Sequence, residues 1–435
     1  MSMSEKVVTR FAPSPTGLLH GGNYRTAVFA YLFAKQQHGE FIVRIEDTDR
    51  ERSKKEYEEN ILETLSWLGL LYDRLYRQSE HTTRHQAELR RLIESGAAYI
   101  SKEEPKEEGQ RAEVIRFKNP NTEVTFEDAI RGPITFNTTD LGDFVIARSE
   151  TEPVFHFAVV VDDADEGVTH VVRGEDHISN TPRQILIQRA LGYPAPVYAH
   201  LPLVLGPDRS KLSKRRGAKA LTQYRSKGYL PEAIINYLAL LGWHPEGEQE
   251  LFSVSELVAV FDLARTQKSA GIFDEVKLHW FNHEHLKRLS DEEFGKRLTE
   301  FLGKDFDTRL LPLVKERAQT LAQAAELLAE YDFLATVAHD KAMLLNNGKI
   351  SATDASKHLS AALGLLEALA DEDFTPENVK STLWPYAEQE GRGAVLWPVR
   401  VALSGKEKSP DPFVVAALLG KQKTLERIAE AVRAL

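Results

Sequence analysis

The stretch that decides the fold is Val7-Val8-Thr9-Arg10-Phe11-Ala12-Pro13-Ser14-Pro15-Thr16-Gly17-Leu18-Leu19-His20-Gly21-Gly22-Asn23. It starts with a short apolar run, residues 7–11, which predicts a β-strand. Residues 41–45 predict a second strand, and residues 57–71 a second helix. This alternation predicts an α/β fold in which helices cover a parallel sheet. The first helix is indicated by apolar residues at helical spacing, namely Tyr24, Ala27, Val28, Tyr31 and Leu32.

A charged segment with one proline, residues 101–110, interrupts the alternation and predicts the start of an insertion. The sheet resumes after residue 155. Beyond about residue 220 the pattern is helical almost to the end, with a domain break predicted near residue 310. The insertion is expected to contain antiparallel strands at 115–117 and 134–136. The resumed sheet is expected to contain buried strands at 157–161 and 168–172. The helical part is expected to contain helices at 231–241, 254–261 and 284–301.

The composition sets limits on the class of protein. The 435 residues suggest several domains, and 42% hydrophobic with 28% charged residues is normal for a globular protein. No apolar run is long enough to cross a bilayer and no signal-peptide core follows Met1, so we expect a soluble cytoplasmic protein without a membrane partner. The absence of cysteine excludes disulfides, thiol chemistry and cysteine-based metal sites. With a net charge of −10, a nucleic-acid partner must meet a local basic surface.

The turn between the first strand and helix is the first candidate ligand site. It lies at the carboxyl edge of a parallel sheet, where such sheets bind ligands. Gly21 and Gly22 let the backbone approach a ligand closely, and the helix N-terminus favours phosphate. His20 projects at the same point and could donate to a phosphate oxygen. For an isolated His-Gly-Gly triplet, however, an ordinary glycine-rich turn is the more common explanation.

The second candidate is the basic segment Arg209-Ser210-Lys211-Leu212-Ser213-Lys214-Arg215-Arg216-Gly217-Ala218-Lys219, in which six of eleven residues are basic. Several ammonium and guanidinium groups on one loop can hold a triphosphate. A solvated basic patch is the more frequent fate of such runs. The basic segment therefore supports a triphosphate site only when it is considered together with the first motif.

The two segments together resemble the nucleotide-binding motifs of class I aminoacyl-tRNA synthetases, as His20-Gly21-Gly22-Asn23 and Lys211-Leu212-Ser213-Lys214-Arg215. The resemblance is strongest over residues 7–285 and thin over about 290–395. Its order along the chain identifies the sequence as similar to the glutamyl-tRNA synthetase family. The segments that follow that family's pattern are 10–17, 45–49, 115–117, 159–163, 173–177, 180–184, 241–243, 400–405 and 418–421.

The resemblance implies a Rossmann-type catalytic domain followed by all-helical domains. It also implies ATP-dependent attachment of L-glutamate to tRNA through glutamyl-adenylate, with Mg²⁺ assisting and AMP and pyrophosphate as products. The partners would be glutamate and the glutamate isoacceptor of tRNA, with the glutamine isoacceptor left open, and we expect a monomer. The expected domains are the catalytic domain at 1–100 and 146–220, a small inserted α+β domain for the tRNA acceptor end at 101–145, a stem-contact domain at 221–310 and an anticodon-binding domain at 311–435.

The family's site residues fall on named positions of this chain. Arg10 and Arg173 would hold the side-chain carboxylate of glutamate, Glu46 would pair with its ammonium group, and Lys211 and Lys214 would neutralise pyrophosphate. The resemblance implies catalytic roles for His20, Lys211 and Lys214, ATP binding by His20, Gly22, Lys211, Ser213, Lys214 and Arg215, and glutamate binding by Arg10, Ala12, Ser14, Glu46, Phe155 and Arg173.

Several positions depart from the family pattern. Gly21 and Asn23 replace an aliphatic residue and a glycine or histidine, and Phe155 replaces a tyrosine of the glutamate pocket. The cysteine-rich zinc cluster of some relatives is absent, and we expect neither zinc nor another protein-bound metal. We interpret His279, His283 and His285 as a packed helix surface, and the Asp162-Asp163 pair as structural or as supporting the residues that contact the ligand.

Two alternatives remain. A paralogue that attaches glutamate to a tRNA base resembles only the catalytic half, whereas about 200 residues of helical sequence follow the basic segment here. A non-catalytic RNA-binding relative would be free to lose His20, Lys211 or Lys214, and all three are present.

Overall fold

The computed structural model describes residues 6–103, 113–213 and 217–435. The described chain forms two compact units, of which the first ends at Arg288 and the second spans Leu289–Leu435. None of the helices within these ranges is long and apolar enough to cross a lipid bilayer. The boundary between the two units, after Arg288, lies before residue 310, where the sequence pattern predicts a break between two helical domains.

The first unit combines strands and helices. In chain order its elements are β1 Val8–Phe11, α1 Gly21–Gln36, β2 Glu40–Ile45, α2 Lys55–Leu68, β3 Arg74–Arg77, α3 Thr82–Glu94, β4 Ala98–Lys102, β5 Glu113–Phe117, β6 Glu123–Asp128, β7 Gly132–Asn137, β8 Phe144–Ser149, β9 Glu152–Pro153, α4 Phe155–Asp165, β10 His170–Gly174, α5 Thr181–Leu191, β11 Val197–Leu201, β12 Val204–Leu205, α6 Leu221–Ser226, α7 Pro231–Leu240, α8 Val254–Val260, β13 Gly271–Ile272 and α9 Glu275–Arg288.

Among the described residues, seven strands form the main sheet in the order β3-β2-β1-β10-β11-β6-β7. All neighbouring pairs are parallel except β6 and β7, which form an antiparallel hairpin. From β1 the chain builds β2 and β3 to one side, and from β10 it builds β11 to the other. The strand order therefore reverses between β1 and β10, and open α/β sheets bind ligands in the crevice at such a switch point. The predicted Rossmann-type fold is confirmed.

Helix α1 and the strands beside it bury most of their apolar side chains. Tyr24, Ala27, Val28 and Leu32, which predicted this helix, are all buried. They pack in a core that also contains β1, β2 and α7. This packing holds the N-terminus of α1 at the carboxyl end of β1.

The prediction of a strand at residues 157–161 is wrong, because these residues lie in helix α4. The run Phe157–Val161 is buried on all sides, so no polar face reveals its period, and its valines favour a strand prediction. Helical spacing instead puts Phe155, Val159 and Asp163 on one face, one turn apart. The strand predicted at 168–172 is confirmed as β10 at His170–Gly174.

The strands predicted at 115–117 and 134–136 are present as β5 and β7, and both have antiparallel partners. They belong to different sheets. Within the described residues, β5 joins a four-stranded sheet of order β4-β5-β8-β9, while β7 is the edge of the main sheet. The predicted insertion, 101–145, thus contributes to both sheets, and its small sheet begins at Ala98 and ends at Pro153.

The second unit is helical throughout its described residues. The single helix predicted at 284–301 is wrong: α9 ends at Arg288, and Ser290 starts a new helix by accepting a hydrogen bond from the Glu293 N–H. Its helices are α10 Asp291–Leu302, α11 Leu311–Arg317, α12 Leu321–Ala329, α13 Lys341–Leu344, α14 Ala352–Glu367, α15 Pro376–Glu390, α16 Arg392–Ser404, α17 Pro412–Leu419 and α18 Lys421–Ala434.

Gly39, in the turn between α1 and β2, supports a first prediction. A Cβ atom at this position would lie 2.1 Å from the Val7 carbonyl oxygen, and a backbone atom cannot move aside by changing rotamer. Gly39→Ala should therefore lower the free energy of unfolding by about 3 kcal/mol. Gly69→Ala is the matched control, since it only places alanine at φ 71 with no atom near the new Cβ, which costs about 1 kcal/mol. Urea unfolding of both variants would contradict the prediction if their losses were equal.

Candidate active site

A cavity of about 620 Å³ opens at the switch point of the main sheet. Its walls come from the carboxyl ends of β1 and β10, the N-terminus of α1, helix α4 and the loop after β12. Lys214 and Arg215 lie outside the described residues. The other ten predicted site residues all line this cavity, namely Arg10, Ala12, Ser14, His20, Gly22, Glu46, Phe155, Arg173, Lys211 and Ser213.

His20 is the N-cap of α1. Its Nδ1 accepts a hydrogen bond from the Gly22 N–H at 3.1 Å, so the neutral ring carries its proton on Nε2. The side-chain oxygen of Asn23 accepts from the His20 N–H at 3.1 Å and completes a capping box. Asn23, a departure from the family pattern, therefore stabilises the helix end that bears His20.

Gly21 departs from the pattern for a steric reason. A Cβ atom at this position would lie 2.9 Å from Cε2 of Phe273 and 3.5 Å from Leu238. Phe273 thus occupies the space that an aliphatic side chain would need.

Arg10 on β1 and Arg44 on β2 share one carboxylate of α4. Asp163 Oδ1 lies 3.1 Å from Arg10 Nε and 2.7 Å from Arg44 Nη1. Arg44 also contacts Glu166 at 2.7 Å and Glu46 at 3.3 Å. All five side chains are buried. The cluster therefore fixes the directions of Arg10 and Glu46 at the floor of the cavity.

The ionisation of this cluster follows from burial and from its two arginines. Burial alone would raise the pKa of Asp163, but Arg10 and Arg44 hold that pKa below its usual value. Burial raises the pKa of Glu46, and it raises the pKa of Glu166 to about 7 despite the attraction of Arg44. An incoming cation beside Glu46 would therefore relieve an excess of buried negative charge.

Arg173 at the end of β10 lies on the opposite wall. Its Nε donates to His200 Nε2 at 3.1 Å, and its Nη2 donates to Thr181 Oγ1 at 2.8 Å. The guanidinium also lies over the ring of Tyr198, 5.3 Å from its centroid. Burial lowers the pKa of Arg173 to about 10, so the group stays charged at neutral pH.

Lys211 lies at the mouth of the cavity, where its Nζ contacts Asp176 Oδ2 at 2.9 Å. Both side chains are about half exposed, so this ion pair is weak and can exchange for a ligand. Ser14 and Ala12 lie in the loop after β1, which the Glu46 N–H holds by donating to the Pro13 carbonyl at 2.9 Å.

Phe155 begins α4 and lies beside His177, with 5.5 Å between the ring centroids. The three histidines of α9 do not share one site: His279 contacts the Tyr229 hydroxyl, and His285 contacts the Asn236 side chain. Within residues 6–103, 113–213 and 217–435, no three carboxylate or imidazole groups converge as metal ligands would.

Several buried polar residues behind the cavity escaped the sequence analysis. Arg44, His200 and Asp128 lie inside strands or at strand ends that offered only an apolar or mixed pattern. Asp163, by contrast, was interpreted as structural or as supporting the ligand-contacting residues, and the structure puts it in contact with Arg10, a predicted ligand-binding arginine. Of these residues, only Arg44 could have been recognised from the sequence. It lies within an apolar strand, and a buried arginine needs a carboxylate partner.

Two protein-family models match the chain. Residues 6–113 and 100–280 match the model described as tRNA synthetases class I (E and Q), catalytic domain, and residues 274–432 match the model described as anticodon binding domain. Together they cover both compact units.

Individual proteins give the same result. The chain is 41% identical to a glutamate–tRNA ligase of Aquifex aeolicus over 99% of both chains, and 41% identical to glutamate–tRNA ligase 1 of Alkalilimnicola ehrlichii over 98% of both. Among solved structures it is similar to a glutamate–tRNA ligase from Elizabethkingia meningosepticum in complex with its amino acid, with a TM-score of 0.86 and 31% identity over 99% of this chain and 100% of that one. A glutamate–tRNA synthetase from Elizabethkingia anophelis has a TM-score of 0.82 at 31% identity, with the same coverage.

His177, on the cavity wall, leads to a prediction about pH. Burial lowers the pKa of His177 to about 4, whereas an unfolded histidine has a pKa of about 6.5. As the pH falls from 6.5 towards 4, His177 is protonated in the unfolded chain and stays neutral in the folded chain. The histidine therefore lowers the free energy of unfolding in this pH range. The free energy of unfolding should fall less between pH 7.5 and pH 5 in the His177→Gln variant than in the parent. The difference should be about 1 kcal/mol after allowing for the partial exposure of His177.

Urea titrations at the two pH values measure this difference. An unchanged pH dependence in the His177 variant would contradict the prediction.

Proposed function

Because the chain belongs to the class I glutamate–tRNA ligase family, it attaches glutamate to tRNA with ATP as co-substrate, and we propose that the cavity at the switch point is its active site. The observation that carries the proposal is the convergence of ten of the twelve predicted site residues on one cavity. The active species is proposed to be a monomer, since all of these residues come from one chain.

The amino acid is proposed to bind between the two buried arginines. Arg10 and Arg173 would hold its side-chain carboxylate, because charge-assisted guanidinium–carboxylate bonds are strong when water is excluded. Glu46 would pair with the α-ammonium group, and this would compensate the excess negative charge around Arg44. Ala12, Ser14 and Phe155 would shape the rest of the pocket. This arrangement leaves the α-carboxylate directed towards the nucleotide.

ATP is proposed to bind at the N-terminus of α1 and the loop that carries Lys211. The positive end of the α1 helix dipole, at Gly22, suits a phosphate group. His20 Nε2 and Ser213 would add hydrogen bonds. Lys211, with Lys214 and Arg215 beyond the described residues, would neutralise the departing pyrophosphate.

Mg²⁺ is proposed to enter as part of the substrate, bound to ATP. Mg²⁺ usually keeps substrate phosphates and water as ligands and takes only one or two protein carboxylates. The described residues fit that expectation, because the acidic residues among those that line the cavity are Asp176 at the mouth and Glu46 at the floor. The ion would neutralise phosphate charge there.

The reaction then needs no protein nucleophile. The α-carboxylate of glutamate attacks the α-phosphorus of ATP and pyrophosphate leaves, forming glutamyl-adenylate. A ribose hydroxyl of the terminal adenosine of tRNA next attacks the acyl carbon, and AMP leaves. Positioning and charge neutralisation would supply most of the rate acceleration.

The tRNA is proposed to occupy two further surfaces. A cavity of about 1150 Å³ lies beside the small sheet. Its lining includes four arginines, Arg50, Arg52, Arg116 and Arg148, and also four carboxylate residues, Asp49, Glu51, Glu103 and Glu152. Arginines suit phosphate contacts, so this cavity is the candidate site for the acceptor end. The helical second unit would bind the anticodon, as its family match indicates.

Charging assays with purified tRNA isoacceptors and labelled glutamate test the proposal. Charging of the glutamate isoacceptor, dependent on ATP, is expected. A product on the glutamine isoacceptor would extend the specificity, and transfer of glutamate to a tRNA base instead of the terminal ribose would overturn the assignment.

The Arg173→Leu variant tests the amino-acid pocket. Without the guanidinium the side-chain carboxylate would face an apolar wall, so glutamate activation should fall about 100-fold. Glutamine, which forms no ion pair, should lose much less, and the ratio of the two activities should collapse. Arg173→Lys should recover only part of the loss, because an ammonium lacks the planar fork.

Pyrophosphate exchange with both amino acids, in the presence of tRNA, measures this ratio. Arg183→Leu, on the following helix α5 and outside the cavity lining, should keep the parental ratio. Equal losses of glutamate and glutamine activity in Arg173→Leu would mean that Arg173 only supports the scaffold.

Lys211→Ala tests the nucleotide side. Loss of a charge contact made mainly in the transition state should lower kcat for adenylate formation about 100-fold and leave the KM for glutamate nearly unchanged. Lys219→Ala is the control, because Lys219 belongs to the same basic segment but pairs with Glu275 at 2.6 Å. Similar kinetics for the two variants would contradict the role of Lys211.

A further inference from the structure

Two buried residues stand behind Arg173, and no part of the mechanism above uses them. His200 lies on β11 directly opposite Arg173 in the parallel sheet register. Asp128 ends β6, the strand on the other side of β11. The side chains of His200 and Asp128 are both fully buried, and Asp128 Oδ2 lies 2.6 Å from His200 Nδ1. Three adjacent strands thus contribute one chain of contacts, Asp128 to His200 to Arg173.

The hydrogen bonds of this chain determine the state of the histidine. Asp128 offers only acceptor atoms to His200, so Nδ1 must carry a proton. Arg173 Nε is always a donor, so the Nε2 atom facing it at 3.1 Å must accept. Only the neutral ring with its proton on Nδ1 satisfies both contacts. Burial lowers the pKa of His200 even though Asp128 opposes this change, which is consistent with a neutral ring.

Asp128 is itself held firmly. Its Oδ1 accepts from the backbone N–H groups of Ile130 and Arg131, and its Oδ2 accepts from the His200 N–H at 3.1 Å in addition to Nδ1. The carboxylate is therefore satisfied without a cation in contact. Because both partners are fixed, the acceptor that Arg173 meets has a fixed position.

The geometry also leaves N–H groups at the Nη end of the Arg173 guanidinium for a ligand. An arginine has five N–H donors. Among the described residues, His200 takes the Nε–H and Thr181 takes one N–H of Nη2. The remaining N–H groups lie on the two Nη atoms, at the end of the side chain that lines the cavity. An end-on pair of this kind suits a carboxylate.

We propose that His200 and Asp128 are positioning residues that hold the Arg173 guanidinium end-on towards the side-chain carboxylate of glutamate. This inference rests on the proposed role of Arg173. In this arrangement Arg173 is anchored by neutral groups, so its positive charge is left for the substrate. The pair would therefore act on amino-acid affinity and on the choice of glutamate over glutamine, and leave ATP binding unaffected.

Two substitutions of His200 separate positioning from simple packing. An asparagine amide reaches the place of Nδ1, so His200→Asn can still donate to Asp128 but offers no acceptor to Arg173. A glutamine amide reaches the place of Nε2, so His200→Gln can still accept from Arg173. Calorimetric titration of the full chain with L-glutamate should show a Kd about tenfold or more higher for His200→Asn, and within about threefold of the parent for His200→Gln.

The controls address stability and the nucleotide. The KM for ATP in pyrophosphate exchange should stay parental in both variants. His358→Asn, which removes a buried histidine bonded to Tyr386 in the second unit, should lower the Tm without changing the glutamate Kd. If His200→Asn and His200→Gln weakened glutamate binding equally, or if neither weakened it, the positioning role would be overturned.

A double-mutant comparison tests whether the effect passes through Arg173. Lysine has no Nε–H, so in an Arg173→Lys background His200→Asn should cause no further rise in the glutamate Kd. An additive rise would mean that His200 acts on the pocket independently and would overturn the proposal. If Arg173→Lys and Arg173→Leu bound glutamate like the parent, the proposed role of Arg173 would itself be wrong, which is a different outcome from failure of His200→Asn alone.

Discussion

The ion pairs that join Arg10 and Arg44 to the single carboxylate of Asp163 are the interaction on which the floor of the cavity depends. They connect β1, β2 and α4 below the cavity floor, where water does not compensate a lost charge. Removing Asp163 would leave Arg10 buried without the carboxylate that it contacts, a cost of about 3–5 kcal/mol, whereas Arg44 would keep Glu166 and Glu46. Because Phe155 and Val159 precede Asp163 on the same face of α4, one helix both walls the pocket and anchors its first arginine.

The two arginines of the pocket are held by opposite means. Arg10 has a carboxylate partner, so part of its charge is already neutralised. Arg173 is held by His200 and Thr181, which are neutral, so its full charge is left for a ligand. The cost of burying that charge is visible in its lowered pKa of about 10, and an incoming carboxylate would relieve it. Fixing both guanidinium groups in advance reduces the ordering cost of binding.

The side of the cavity proposed for the nucleotide is organised by the backbone instead. His20 and Asn23 satisfy the first N–H groups of α1 and hold its end in place. The departures from the family pattern at Gly21 and Asn23 are thus matched to their surroundings, one by Phe273 and the other by the capping box. Lys211, by contrast, pairs with half-exposed Asp176, so it can move to a phosphate at little cost.

The sequence by itself determined the fold class, because strand–helix alternation is a local signal. Its glycine-rich and basic segments marked the two motifs by which it resembles the family. The resemblance to the family named twelve site residues, and ten of them line one cavity. Only the tertiary structure decided that residues 157–161 are helical, since a run buried on every side shows no polar face. It alone also brought Asp128 to His200 and His200 to Arg173, across 72 and 27 residues of sequence. Those contacts depend on the order β10-β11-β6 in the sheet, and strand order is set by how helices and strands pack together, which no local pattern encodes.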